Sequence, residues 1–405
     1  MEFTSHSGRV TFQVIAIVAF SLWTLFASLN GRDDLNTEIR ALDSLYTGLV
    51  FKGREAIPSS KWTKSVLFNP AGTSLYTFNL EEMSIYEFES STRKLTRKFR
   101  FEANAAPGWD YDLNKPIPSF EEKPVEGCFS HDGKILWVSL HNAGGIVSIP
   151  MDSNGGIDIA DKMYRSHSYP TKCIYIYNTD DESEDTVVIP LIKTGKTPKI
   201  ITVSADSRYL LVSNWHSNTV SVLQIQDSLP PYGNKIKDIR TGTYPRGIAI
   251  TKSPSNSYVA NMSSNIITVI NNKTWSIEKQ IPTIKNPRHV ISDGGGRLFV
   301  SYNISSKIAC IDAKSGRTLY SSTTSASPRT IALSRNKKFL FVACYEGNTI
   351  DVFRIGRTGF NRIYSISCKD KPVGIDLRED SEELEAWVCT YNGGSLQVLS
   401  FLKKR

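Results

Sequence analysis

Residues 328–355 read PRTIALSRNKKFLFVACYEGNTIDVFRI. Residues 328–334 alternate and end on Ser334, and Arg335 to Lys338 form a polar turn. Phe339 to Ala343 is an apolar run, Tyr345 to Asn348 turns the chain, and Thr349 to Ile355 alternates again. Period-two patterning between turn residues predicts three consecutive antiparallel strands. One such sheet cannot bury both faces by itself, so the unit must find partners like itself.

The opening proline returns at Pro124, Pro198, Pro245, Pro287, Pro328 and Pro372, the last four gaps being 47, 42, 41 and 44 residues. The strand after the turn returns as LWVSL (136–140), LLVSN (210–214), YVAN (258–261), LFVSY (298–302), FLFVAC (339–344) and AWVCT (386–390). A seventh copy without the proline, KSVLFNPAGTSLYTFN, occupies 64–79. A period of about 40–45 residues with several strands per unit is the mark of a propeller. The expected fold is all-β, a seven-bladed β-propeller with four-stranded antiparallel blades.

The runs Ser204 to Asn214 and Asn218 to Val222, with Tyr258-Val259-Ala260-Asn261 and Asn265 to Ile270, carry a resemblance to the YVTN family of β-propellers. That family is found in periplasmic and surface-layer proteins. The resemblance covers roughly residues 60 to 402 and implies the fold. It implies no activity, because the motif residues build strands and turns.

Length alone would allow two or more domains, but the repeats argue for one ring over 45–402. Apolar content of 40% and charged content of 22% suit a globular chain. Residues 1–9 form a polar tail, and Val10 to Leu29 run for 20 residues without a charge. At about 1.5 Å per residue, that length crosses a bilayer core of about 30 Å. The weakly basic start and poor cleavage sites near Ala27 favour an uncleaved signal anchor over a cleaved signal peptide. A buried soluble helix is the plainer alternative. The charge difference across the segment places the propeller outside the cytoplasm. The expectation is a membrane-anchored protein on the periplasmic or extracytoplasmic side, with secretion after cleavage as the alternative.

Residues 30–44 read as a stalk and 45–52 as a strand. The last repeat ends after Ser395 to Leu402 without a fourth strand, so 45–52 are expected to close it and cover an open sheet edge. Two insertions break the rhythm, at 102–121 and about 150–185. The second leaves open whether Gly145 to Ile149 or Cys173 to Tyr177 is the third strand of its blade.

The six cysteines form no C-x-x-C pair and the six histidines no ligand cluster. No metal or cofactor is therefore expected. Asp180 to Asp185 lacks the glycine and spacing of a calcium loop and reads as a solvated acidic turn.

Stacking the repeats exposes the candidate site. The residue after the repeat proline is Lys64, Val125, Lys199, Arg246, Arg288, Arg329 and Val373 in turn, five cations of seven. The turn after the second strand presents Leu80, His141, Trp215, Met262, Asn303, Tyr345 and Tyr391. A basic ring under an aromatic rim suits an anionic small molecule, a glycan or a charged protein partner. The plainer reading is that these cations serve turn and packing contacts within each blade. The net charge of +8 is spread along the chain, which disfavours nucleic acid. A monomeric ring is expected.

Asn286-Pro287-Arg288-His289 resembles the G-P-R-H stretch of propeller lactonases related to 6-phosphogluconolactonase. The resemblance implies an arginine and a histidine near the channel that handle a sugar lactone. Arg288 would face the developing oxyanion and His289 would act on water. The match is confined to one repeat. The expected function is non-enzymatic binding or scaffolding at the channel mouth, with a lactonase-type hydrolase as the alternative.

Overall fold

Each repeat opens on the innermost strand of a sheet. The computed structural model describes residues 46–110, 113–151, 169–227, 229–252 and 255–405. The seven inner strands are Thr63–Phe68, Pro124–Ser130, Pro198–Val203, Pro245–Ile250, Pro287–Ser292, Pro328–Leu333 and Pro372–Glu379. They define blades 1 to 7. Blades 3 to 6 are each four consecutive antiparallel strands.

The second strands, such as Ile135–Leu140 and Phe339–Cys344, are buried along their whole length. The outermost strands, such as Thr318–Thr323, are largely exposed. Sequence periodicity is therefore strongest near the axis and fades outward.

Seven apolar clusters fill the interfaces between neighbouring blades. Phe78 and Leu136 belong to the cluster between blades 1 and 2, and Phe299 and Leu340 to that between 5 and 6. The remaining pairs are filled likewise. The seventh cluster joins blade 7 to blade 1 through Trp387, Val398, Phe68 and Phe88, which closes the circle. Each inner strand also contacts the next, from blade 1 round to blade 7 and back. Fully burying one such large apolar side chain contributes about 1.5–3 kcal/mol, so closure is favoured at every junction.

Blade 7 takes its outer strand from the other end of the chain. Gly48–Pro58 pairs with Ser395–Lys404, from Gly48 opposite Lys404 to Pro58 opposite Ser395. The strand reaches beyond residues 45–52. Its far half, Lys52 to Ala56, is mostly exposed and carries no apolar alternation to read. Ahead of it, buried Tyr46 stacks on Phe339 and donates its hydroxyl to Glu379 at 2.9 Å. The Tyr46 carbonyl accepts from Asn336 Nδ2 at 3.0 Å.

Blade 2 uses Gly145–Pro150 as its third strand, paired with Ile135–Leu140. Thr171–Asn178 is an extra strand. It pairs with Leu95–Phe101 of blade 1 on one edge and with Glu184–Lys193 on the other, joining blades 1 and 2 into one nine-stranded sheet. Its single buried face gives it the alternation of a blade strand, which is why the sequence left two choices. Asp180 to Asp185 are exposed where that pair turns.

The first insertion is a two-stranded hairpin, Ala105–Asp110 with Lys115–Phe120. All six cysteines are free thiols. The tail 1–9, the apolar segment 10–29 and the stalk 30–44 lie outside the described residues. Among those described, no helix is long and apolar enough to cross a membrane.

Candidate functional site

One local device, repeated seven times, aims the ring residues. The N–H of each rim residue donates to the carbonyl of the residue just before the inner strand's first residue. Examples are Trp215 to Thr197 at 2.9 Å, Tyr345 to Ser327 at 3.0 Å and Tyr391 to Lys371 at 2.9 Å. The acceptor has a positive φ in six units, at Trp62, Thr197, Tyr244, Asn286, Ser327 and Lys371. Lys123, in the unit that carries the hairpin, is the exception.

Immediately afterwards the ladder slips. Pairing jumps from Pro198 to Ile201, from Pro245 to Ile248, from Pro328 to Ile331 and from Pro287 to His289. Such a bulge releases a residue from the ladder and re-aims its side chain. The ring residue sits within each bulge.

Serines in the second strand hold the ring from behind. Ser139 Oγ donates to the Lys199 carbonyl at 2.8 Å, Ser213 Oγ to that of Arg246 at 2.8 Å, and Ser301 Oγ to that of Arg329 at 2.7 Å. The same oxygens accept from the N–H groups of Glu126, Ile200 and His289. Each serine thereby staples its own blade to the ring residue of the next. This is the physical reason for the serine in LWVSL, LLVSN and LFVSY.

The result is a cavity of about 880 Å³ at one end of the channel. Lys64, Lys199, Arg246, Arg288 and Arg329 line it, with His141, Trp215 and Tyr391 from the rim. Tyr345 lies beneath Arg329, whose guanidinium carbon is 3.2 Å from the ring centre. Lys64 Nζ stands 4.0 Å over the Tyr391 ring and Lys199 Nζ 5.1 Å over that of Trp215. Eight of the nine ring and rim residues selected from the sequence therefore line one space, and the ninth, Tyr345, packs against Arg329. His289 does not line the cavity. Its Nδ1 accepts the Ile331 N–H at 3.3 Å, so the neutral ring carries its proton on Nε2 and offers no free lone pair there.

Two parts of the site escaped the sequence reading. Glu126, two residues after Pro124, reaches across the channel to Arg246 Nη2 at 3.4 Å. A single glutamate in one repeat has no periodic signal. The other part is the hairpin. Pro107, Trp109, Ile117 and Phe120 form one wall of the cavity. Its base is tied by Glu122, which accepts from the Asn104 N–H and Nδ2 at 2.8 Å, and by Asn142 Nδ2 donating to the Phe120 carbonyl at 2.8 Å. Buried Lys172 pairs with both Glu121 and Glu122. The proline and aromatic content of 102–121 was visible, but nothing in it showed which way the insertion folds.

The charges are crowded. Burial, then Arg329, Arg246 and Arg288, hold the Lys64 ammonium down at about 7, against an ordinary 10.5. Burial and neighbouring cations also push Lys199 and Arg288 well below their ordinary values. Burial, then Lys199 and Lys64, keep His141 neutral, and burial, then Arg246 and Arg288, lower His289 to about 3. Burial raises the Glu126 carboxyl, while Arg246 pulls it back. Lys64, Lys199, Arg288 and Arg329 form no ion pair among the described residues. Arg329 Nε is buried without a hydrogen-bond acceptor.

The family model described as a lactonase, 7-bladed beta-propeller, matches residues 184–290. Antigen Lp49 of Leptospira interrogans is 30% identical over 212 residues, which are 47% of this chain and 45% of that protein. The chain thus spans about half the length of this relative. Among solved structures, a chain of the mitotic checkpoint complex superposes with a TM-score of 0.57 at 10% identity, over 89% of this chain and 92% of its own. The β-propeller domain of Myceliophteria thermophila Cps50 (Swd1) gives 0.58 at 10% identity, over 85% and 99%. U3-55K gives 0.58 at 9%, over 85% and 98%. These structural likenesses establish the propeller fold.

Proposed function

We propose that this chain is a YVTN-type propeller that binds an anionic ligand at the channel mouth without transforming it. The observation that carries the reading is a walled cavity whose four cations Lys64, Lys199, Arg288 and Arg329 have no ion-pair partner among the described residues. Lys199 is buried and the other three are half-buried, and charges so withdrawn from water are normally paired or hydrogen-bonded. A ring built and stapled at such cost, yet left unsatisfied, is completed by a ligand of opposite sign.

The reading places the propeller outside the cytoplasm, held to a membrane through residues 10–29. The chain enters at Tyr46, which packs on Phe339 beside the turn between the first and second strands of blade 6. The rim belongs to the turn at the other end of those strands. The match to a protein named as an antigen is in keeping with a placement outside the cytoplasm.

The test is a charge-reversal set, Arg246→Glu, Arg288→Glu and Arg329→Glu, in a pull-down from solubilised envelope. Capture of the wild-type partner should be lost, and equal capture by the set would remove the reading. Fractionation of cells expressing a variant without residues 10–29 tests the anchor. That variant should leave the membrane fraction.

A hydrolytic reading rests on one observation, that the lactonase family match ends at His289's neighbourhood, on residue 290. In this geometry Glu126, rather than His289, has the free lone pairs a base for water requires. Turnover of model lactones that falls at least about a hundredfold in Glu126→Gln would support it. No turnover by the wild type would dispose of it.

A further inference from the structure

The ring, the hairpin and the cavity dimensions together narrow the ligand. We infer that the site takes a small molecule bearing two or more oxyanion groups, enclosed between Arg288, Arg329 and Lys199 on one side and the Ala105–Asp110/Lys115–Phe120 hairpin on the other. This rests on the reading of the cavity as an anion site.

Charge number comes first. Lys64, Lys123, Lys196, Lys199, Arg246, Arg288 and Arg329 line the cavity, against the carboxylates of Glu81 and Asp110, with Glu126 below them on Arg246. Seven cations against three carboxylates leave a surplus of four when all are ionised. Glu81 is already taken by Lys123 at 2.5 Å. One negative charge would leave most of the surplus standing, whereas two or more oxyanion groups can each find a guanidinium. Arginine forks match carboxylate and phosphoryl oxygens in pairs.

Size and access come next. The cavity of about 880 Å³ falls within the roughly 300–1,000 Å³ of small-molecule sites. Lys199 and Arg246 are recessed, with 6% and 7% of their surfaces exposed. A flat protein surface could not reach them past the rim. The hairpin is rooted at its base, by the Glu121 N–H on the Asn104 carbonyl and by Asn142 Nδ2 on the Phe120 carbonyl. Pro107 and Pro118 lie opposite each other in it, removing backbone donors from a ribbon with two open edges. Trp109, nearly half exposed, offers a flat apolar face over the cavity for the uncharged part of the ligand.

Proton balance gives a further signature. Lys64 faces Arg246, Arg288 and Arg329 across the channel, with Glu81 the nearby acid that favours its charged form. An added anion favours the ammonium form, so binding near neutral pH takes up a proton.

The experiment is calorimetric titration of the full chain with pyrophosphate, tricarballylate and poly-glutamate at fixed ionic strength. Saturable binding of pyrophosphate or tricarballylate at one site per chain is expected. Arg288→Ala should weaken it about tenfold to a hundredfold, the effect of removing a charged hydrogen-bond donor. Arg208→Ala, which removes an equal charge from an exposed pair with Asp206, should not. Arg329→Gln provides a second variant should Arg288→Ala melt early. Repeating the titration in buffers of different ionisation enthalpy should show net proton uptake, reduced in Lys64→Met. Binding of poly-glutamate alone, sensitive to Arg288→Ala, would overturn the small-ligand inference and leave the anion site standing. Small-anion binding unchanged in both ring variants, or no binding by any probe, would overturn both.

Discussion

Two clusters of charge, one buried and one half-buried, lie at opposite ends of the blades, and they are treated differently. At the closed end, Glu379 accepts from the Tyr46 hydroxyl at 2.9 Å and the Arg335 N–H at 2.6 Å, and pairs with Lys403 at 3.2 Å. Both carboxylate oxygens have a partner. At the mouth, Arg288 has neither an ion pair nor a hydrogen bond among the described residues, and Arg329 keeps a buried Nε without an acceptor. The first arrangement binds the chain's early strand to its last blade. The second has only aromatic faces and the single Arg246–Glu126 pair to set against the repulsion among its members. The contrast teaches that buried charge serves the fold where it is complete and points outward where it is not.

The largest expected effect is at the closed end. Glu379→Ala removes the carboxylate paired with the buried Lys403 ammonium, which keeps its contact with the Asp380 carbonyl, and removes the Tyr46 acceptor. It should cost about 3–5 kcal/mol, as breaking a buried pair does, measured as a fall in the urea midpoint at unchanged slope. If Glu379→Ala cost no more than an exposed substitution, the contrast between the two ends would collapse.

A middle-sized effect joins structure to site. Ser213→Ala removes the donor to the Arg246 carbonyl and the acceptor for the Ile200 N–H. It should cost about 1–2 kcal/mol, roughly one net hydrogen bond plus an unsatisfied group. It should also weaken anion binding although residue 213 does not line the cavity. Ser213→Thr should restore most of both. Full affinity in Ser213→Ala would show that the staple holds blades without positioning the ring.

Protons give a third test. Lys64 titrates at about 7 in the fold against an ordinary 10.5. Between those values the unfolded chain holds more protons than the folded one, so stability of the ligand-free protein rises with pH through that window. Below about 7 both states are protonated and the repulsion is fully felt. Lys64→Met should flatten the rise in a urea-midpoint series from pH 6 to 10, with Lys199 supplying what remains. The smallest effect is Arg208→Ala, an exposed pair whose loss should leave the urea midpoint unchanged within error.

Much of this was legible in the sequence, and the reason is physical. Second strands are buried on both faces and inner strands in large part, so each repeat needs similar apolar residues, and the repeated proline and turn mark the same bulge. Stacking those positions is enough to bring Lys199, Arg246 and Arg329 to one channel. What was not legible belongs to single copies. Glu126 occurs in one repeat, where its neighbours in register are residues such as Gly247 and Thr330. The hairpin at 105–120 has a composition but no period. Thr171–Asn178 alternates like a blade strand because it buries one face, yet it bridges two blades instead of building one. Repetition informs about architecture, and departures from repetition inform about the site.

The most direct test of the central claim is a pair of thermal melts of wild type and Arg288→Ala, each with and without pyrophosphate. Without anion, the variant should melt at or above the wild-type temperature, because an unpaired and repelled cation has been removed. With anion, only the wild type should rise appreciably. A variant that melts several degrees below wild type in the absence of anion, or that rises equally in its presence, would contradict the account.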